Sequence, residues 1–353
     1  MKALILIGGL GTRLRPLTCF TPKPLLPIVN LPFLEYQFKL LKQHNINEVI
    51  LCLAYLPGEF KKYFGTGKKL GLKIHYVHET TPLGTGGAVR NAIEHINEPT
   101  IIFNGDIFTD INISDMYAYH KRKKAYLTIA LTRVKDPTQF GLVETDKNGK
   151  IERFLEKPSW DEITCNTINA GTYIFEPEAV KHIPEGVNFS LERGLFPNLL
   201  NKQHPLFGYV FKGYWLDMGT IDKYLLAHQD MISGKMRFAL PGKKLHNHDN
   251  VWAGKHLKWG KHIEINGRLV CGNNVTIGDF VQIQGNVCLG DNVSLAKGCT
   301  LIDSIILNNT KVGEGARLEK SLIGKNCSIE PNAVLSPMTA LGDNSLIRKY
   351  SKL

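Results

Sequence analysis

Residues 275–298 read VTIGDF VQIQGN VCLGDN VSLAKG, and their spacing decides the fold of the second part of the chain. Valines stand at 275, 281, 287 and 293, and Ile277, Ile283, Leu289 and Leu295 each follow two positions later. The same beat takes in Leu269 on one side and Cys299, Leu301, Ile305 and Leu307 on the other. An amphipathic helix would repeat near 3.6 residues and a half-buried strand near two. A period of six with paired inward positions predicts a parallel β-helix, in which each hexapeptide supplies a short strand and a turn. The phase slips near Lys311, moves to Val312 and Leu318, and resumes through Ile323 and Ile329. The repeats predict a β-helix domain over 265–353.

Working back toward the amino terminus, the text alternates between two kinds of segment. Ala3–Ile7, Glu48–Leu53, Lys73–His78 and Thr100–Phe103 read as strands; Glu35–His44, Gly87–His95 and Ile113–Arg122 read as helices. Alternation of this kind predicts an α/β, Rossmann-like domain over 1–235 with a mainly parallel sheet and its binding loops at the carboxyl ends of the strands. The stretch 236–264 is rich in Lys, His and Asn and reads as a polar linker. Its His246, His248, His256 and His262 have no cysteine near them, which argues against structural zinc.

At 353 residues the chain exceeds what one core usually organises, so two domains are expected. A net charge of +11 favours anionic partners. The basic residues are scattered, apart from a looser concentration from Lys243 to His262, and form no arginine-rich stripe. Polyphosphate substrates therefore suit the charge better than nucleic acid does. Seven dispersed cysteines without a C-x-x-C pair suggest reduced thiols. No run approaches the ~20 apolar residues of a membrane helix, so no membrane partner and a cytoplasmic location are expected.

The first strand ends in GGLGTRLRPLT, residues 8–18. Gly8, Gly9 and Gly11 let backbone N–H groups approach a polyphosphate, and Arg13 and Arg15 add charge-assisted hydrogen bonds. Lys23 follows between two prolines on a stiffened loop. Positive groups on pre-set backbone at a strand end suit a triphosphate whose leaving pyrophosphate must be stabilised.

With these residues in place, the run from Gly8 to Pro27 resembles the signature of the sugar-1-phosphate nucleotidyltransferase family. ETTPLGTGGAV at 79–89, NGD at 104–106, FGLVE at 140–144, EKP at 156–158, NAG at 169–171 and WLDMGT at 215–220 agree with it in order. The tail resembles the left-handed β-helix of members such as the mannose-1-phosphate guanylyltransferases. The resemblance implies that Asp106 and Asp217 bind Mg²⁺, for which hard carboxylate oxygens are suited. It implies that Gly8, Gly9, Gly11, Thr12, Arg13, Glu79 and Gly84 contact the nucleotide. Gly141, Glu156, Lys157, Asn169, Gly171 and Glu192 would hold the sugar phosphate, and Arg13, Lys23, Asp106 and Asp217 would carry catalysis.

Glu79 occupies the position that contacts the base in the family, where thymidylyl and uridylyl relatives commonly carry glutamine. A carboxylate only accepts hydrogen bonds, and guanine presents N1–H and N2–H₂ as adjacent donors. GTP is therefore expected, with mannose 1-phosphate as its partner. Glucose-1-phosphate thymidylyl or uridylyl transfer, heptose-1-phosphate guanylyl transfer, and a non-catalytic regulatory subunit are the alternatives. The flat faces and open ends of a β-helix leave groups needing cover, so a homo-oligomer built through that domain is expected.

Overall fold

The computed structural model describes all 353 residues. They pack as two compact units, drawn differently from the division expected at residues 235 and 265. The first comprises Met1–Gly9 and Gln37–Trp215, the second Leu10–Tyr36 and Leu216–Leu353. The glycine-rich signature is thus cut after Gly9, and its basic part belongs with the β-helix.

The first unit is built on a nine-stranded sheet: β1 Lys2–Ile7, β2 Glu48–Leu53, β3 Lys73–His78, β4 Thr100–Asn104, β5 Leu127–Arg133, β6 Gly141–Thr145, β7 Ile151–Glu156, β8 Thr167–Phe175 and β9 Leu206–Val210. The order along its main path is β7-β6-β8-β4-β1-β2-β3, with β5 also paired to β8 and β9 to β5. β1 lies parallel to β2 and β4, and β2 parallel to β3, so these four strands share one carboxyl edge. β8 runs antiparallel to β4 and joins this half to the β6–β7 hairpin. The continuous apolar run of β1 is explained by cover on both faces, since Ala3, Leu4 and Ile5 are fully buried. Leu4 and Ile5 each contribute about 1.5–3 kcal/mol relative to exposure.

In the second unit three ladders of parallel strands stack into the expected β-helix. One runs through Val251–Ala253, Leu269–Cys271, Val287–Leu289, Ile305–Ile306, Leu322–Ile323 and Ala340–Leu341. The coils therefore begin inside the stretch expected as a linker: His248–Ala253 and Lys258–Trp259 each pair in parallel with the next coil. Lysine, histidine and asparagine fill the outward and corner positions there, which hides the apolar beat of Val251 and Ala253.

Corners are turned by residues with positive φ. Asn274, Asn292, Asn309, Asn326 and Asn344 all adopt left-handed backbone at one corner. Their side-chain amides form a ladder, each donating to the next at 2.8–3.2 Å. Asparagine tolerates this conformation better than other residues with a Cβ.

The expected slip near Lys311 lies further upstream. Gln284 pairs with Ile302, eighteen residues on, but Cys288 pairs with Ile305, only seventeen on. The corner at Asp303–Ser304 is one residue short, and Asp303 closes it by accepting the Asn286 N–H at 2.9 Å. Because side-chain direction alternates along a strand, that deletion turns Ile305 outward and leaves Ile306 in the core. The spacing returns to eighteen where Leu322 pairs with Ala340.

Outward Val270, Cys288, Ile305 and Leu322 would be an apolar stripe if uncovered, yet all are buried. The helix Ile221–Ser233 packs beside this column: Gln229 donates to the Asn286 and Asp303 carbonyls, and Arg268 donates to the Ile232 carbonyl. Asn30, from the signature loop, donates to the Leu289 carbonyl at 2.9 Å and accepts from the Cys288 thiol at 3.3 Å. Lys325 donates to the Thr21 hydroxyl at 3.1 Å. No helix of the chain is long and apolar enough to cross a membrane, and the cysteines are free.

His228 joins the loop to that helix. Its Nδ1 accepts the Val29 N–H at 3.2 Å, and its complete burial lowers its pKa to about 3. Between about pH 6.5 and 3 the unfolded imidazole binds a proton that the folded one refuses, so stability falls on acidification. Between pH 7.5 and 5 this amounts to about 2 kcal/mol. In urea titrations, His228→Gln is expected to flatten the pH dependence of unfolding by that amount; an unaltered slope would refute the assignment.

Candidate active site

The carboxyl edge of β3-β2-β1-β4 carries Gly8 and Gly9 after β1, Glu79 after β3, and Gly105 and Asp106 after β4. Gly105 sits there because its N–H bonds the Leu6 carbonyl at 2.9 Å and a Cβ would lie 2.3 Å from that oxygen. This close approach turns the chain sharply and leaves Asp106 half-buried on the rim.

Glu79 is buried, and its Oε2 accepts the Leu83 N–H at 3.0 Å. The residue therefore closes its own turn, and desolvation holds its pKa above the usual carboxylate value. Gly84 follows with φ +70° and opens the helix Gly84–Asn91, three residues earlier than expected. Its glycines are explained by packing: a Cβ on Gly86 would meet the Phe189 ring and carbonyl at 2.9 and 3.0 Å, and one on Gly87 the Val187 carbonyl at 2.6 Å. The Gly86 and Gly87 N–H groups both point to the Phe189 carbonyl, and the Phe189 N–H returns to the Leu83 carbonyl.

This pairing brings Glu192 to the turn. Its Oε2 accepts from the Thr85 and Ser190 hydroxyls, both at 2.8 Å, and its Oε1 from the Tyr173 hydroxyl at 3.4 Å. Tyr173 in turn accepts from Asn169 Nδ2 at 2.9 Å, and Asn169 Oδ1 accepts the Gly171 N–H. Gly171 takes φ +68°, where a Cβ would press on Ile107 and Asn104. Gly141 is paired with Glu156 across the β6–β7 hairpin, and a Cβ there would lie 3.1 Å from Glu156 Oε2. Desolvation, then the charge of Glu192, raises the Glu156 pKa, so the two carboxylates share one environment. Lys157 stands exposed at the end of the same hairpin with φ +54°, an uncommon conformation for a lysine. Glu156, Asn169, Gly171 and Glu192 are thereby gathered in one network, and Gly141 and Lys157 adjoin it.

The second unit bears the remaining residues. Gly11, at φ +64°, starts the short helix Thr12–Leu14, and a Cβ there would meet Thr18 at 3.1 Å and the Lys23 stem at 3.2 Å. Thr18 locks the turn by donating to the Gly11 carbonyl at 2.8 Å. The Arg13 guanidinium lies against the backbone of Gly219, two residues beyond Asp217. Asp217 is half-buried with Lys223 Nζ 3.8 Å from its Oδ2. Arg13, Lys23 and Asp217 thus lie on three stretches that this unit holds together. Sequence reasoning passed over Thr85, Tyr173, Ser190 and Lys223. Thr85 alone had a signal, its place beside Gly84.

A family model described as Nucleotidyl transferase matches residues 2–234, and one described as GMPPB C-terminal domain matches 254–351. A mannose-1-phosphate guanylyltransferase of Mycobacterium tuberculosis is 40% identical over 66% of this chain, which spans 65% of that relative's length. A UTP--glucose-1-phosphate uridylyltransferase of Synechocystis is 31% identical over 97% of this chain and 92% of its own. Among solved structures, HddC from Yersinia pseudotuberculosis complexed with GMP-PN aligns with a TM-score of 0.57 and 27% identity, over 65% of this chain and 99% of that one. By its match over residues 2–234, the chain belongs to the nucleotidyl transferase family.

Proposed function

We propose that the chain joins a sugar 1-phosphate to a nucleoside triphosphate with release of pyrophosphate, and that the pair is mannose 1-phosphate and GTP. The observation that carries this reading is the network around Glu192 and Glu156, two carboxylates set among Asn169, Tyr173 and Thr85. Such acceptor-rich ground suits a ligand that offers several hydroxyl donors. The names of the Mycobacterium relative and of the GMP-PN complex support guanine and mannose. The near full-length Synechocystis relative favours a second reading, UTP with glucose 1-phosphate. Glu79 bears on the choice: its anchored Oε2 fixes the carboxylate in one orientation, which suits paired donors such as those of guanine.

In the mechanism an oxygen of the sugar phosphate, already anionic at neutral pH, attacks the α-phosphorus in line. Lys157 neutralises the attacking phosphate, and Arg13 and Lys23 stabilise charge on the departing pyrophosphate. Gly8, Gly9, Gly11 and Thr12 offer backbone N–H groups to the triphosphate, and Gly84 closes the base-reading turn. Glu156, Asn169, Gly171 and Glu192 orient the sugar, with Gly141 leaving room beside Glu156. Asp106 and Asp217 would hold Mg²⁺. Two carboxylates would leave positions for phosphate and water oxygens, the usual habit of this ion. When bound, Mg²⁺ supplies charge neutralisation across the phosphates. Exposed Leu346, Tyr350 and Leu353 suit self-association through the β-helix.

Four outcomes check this. Pyrophosphate release by Asp106→Asn and by Asp217→Asn should fall at least a hundredfold; near-normal magnesium-dependent rates in either would remove that residue from its role. Across a panel of triphosphates and sugar phosphates, GTP with mannose 1-phosphate should give the highest kcat/KM, and equal or better use of dTTP or UTP would sink the Glu79 argument. The raised Glu156 pKa predicts that sugar-phosphate affinity weakens on acidification already above the usual carboxylate range, as this acceptor gains a proton. Removing the neighbouring charge in Glu192→Gln should move that inflection to lower pH, and an inflection that stays put would separate Glu156 from binding. Light scattering should report a smaller mass for Leu346→Glu with Tyr350→Glu, whereas unchanged mass would dismiss association through that coil.

A further inference from the structure

Thr85 lies in the nucleotide turn by sequence, immediately after Gly84, yet its hydroxyl is spent on Glu192. The Thr85 Oγ1 accepts the Leu191 N–H at 2.9 Å and donates to Glu192 Oε2 at 2.8 Å. A hydroxyl has one proton, so an incoming N–H directs that proton toward the carboxylate. Ser190 works the same way, accepting N–H groups from Glu192 and Arg193 and donating to Oε2. Tyr173, fully buried, accepts from Asn169 and so presents its proton to Oε1. All three proton directions follow from the surrounding donors. The carboxylate is held as an acceptor in one place, and Oε1, met by Tyr173 at the longer distance of 3.4 Å, is the oxygen with room for a ligand hydroxyl.

We infer that Thr85 is a positioning residue for the sugar phosphate, acting through Glu192, and that it does not serve the triphosphate despite its place in the turn. The inference rests on the reading of Glu192 as a sugar contact. Ser190 and Tyr173 leave the carboxylate ordered but rotatable without Thr85, because Ser190 belongs to the same short segment as Glu192 and moves with it. Thr85 is the short tie to Oε2 from another element, 107 residues away, whereas Tyr173, on β8, meets only Oε1 and at 3.4 Å.

The test uses the full chain with mannose 1-phosphate and GTP. Thr85→Val, close in volume, should raise the KM for mannose 1-phosphate about tenfold, the loss of one hydrogen bond to a charged group, with the KM for GTP changed less than twofold. Thr85→Ser, which keeps the hydroxyl, should restore the wild-type value. Combined with Glu192→Gln, Thr85→Val should add nothing further, since both act on the same contact. A rise in the KM for GTP, failure of serine to rescue, or additive effects in the double variant would each overturn the proposal while Glu192→Gln stays impaired. Normal use of mannose 1-phosphate by Glu192→Gln would instead refute the sugar contact itself and carry this inference down with it. Thermal melting of each variant separates these outcomes from misfolding.

Discussion

Burial of one outward column of the β-helix, Val270, Cys288, Ile305 and Leu322, is the constraint on which the second unit depends. Val270, Ile305 and Leu322 would otherwise face water at a cost of about 1.5–3 kcal/mol each, with the Cys288 thiol exposed among them. Their cover is the helix Ile221–Ser233 together with the loop that begins at Leu10. Because the loop carries Arg13 and Lys23 and the residues before the helix carry Asp217, the need to cover a hydrophobic stripe also fixes where these candidate site residues stand. Tyr224 and His228 reinforce the arrangement by holding the Pro27 carbonyl and the Val29 N–H from the same helix.

Much of this was legible in the sequence wherever a single periodicity ruled. The strands β1 to β4 and the coils from Leu269 to Leu301 lie where the apolar spacing places them. Legibility failed at two kinds of place. In residues 248–259 polar corner and outward residues outnumber the inward ones, so the coil reads as a linker. Before Ile305, and again between Glu319 and Leu322, a missing corner residue shifts the count that follows, and the beat of six cannot show that until pairing partners are known. The unit boundary inside the signature is invisible for a related reason: contiguous sequence says nothing of which core a loop covers.

The candidate site was legible to a different depth. Glycines at 84, 141 and 171 read as binding residues, and the structure gives each a steric reason as well, a backbone or side chain that a Cβ would strike. Glu79 reads as a base contact, and the structure adds that it also closes its own turn. Glu192 stands in no motif that the sequence marks. Besides its neighbour Ser190, two hydroxyls from other elements, Thr85 and Tyr173, converge on it, a property of tertiary packing that no local spacing encodes.

The asparagine corner has a consequence for how such a chain can change length. The inner amides both accept and donate, so removing or adding one residue at this corner itself would break the column on either side. The shortened bend at Asp303–Ser304 escapes this penalty because it lies at another vertex of the prism, where an aspartate caps the gap. Natural or engineered insertions are thereby steered to that vertex or to whole turns of the solenoid, and the amide column acts as a ruler that keeps the remaining turns in step.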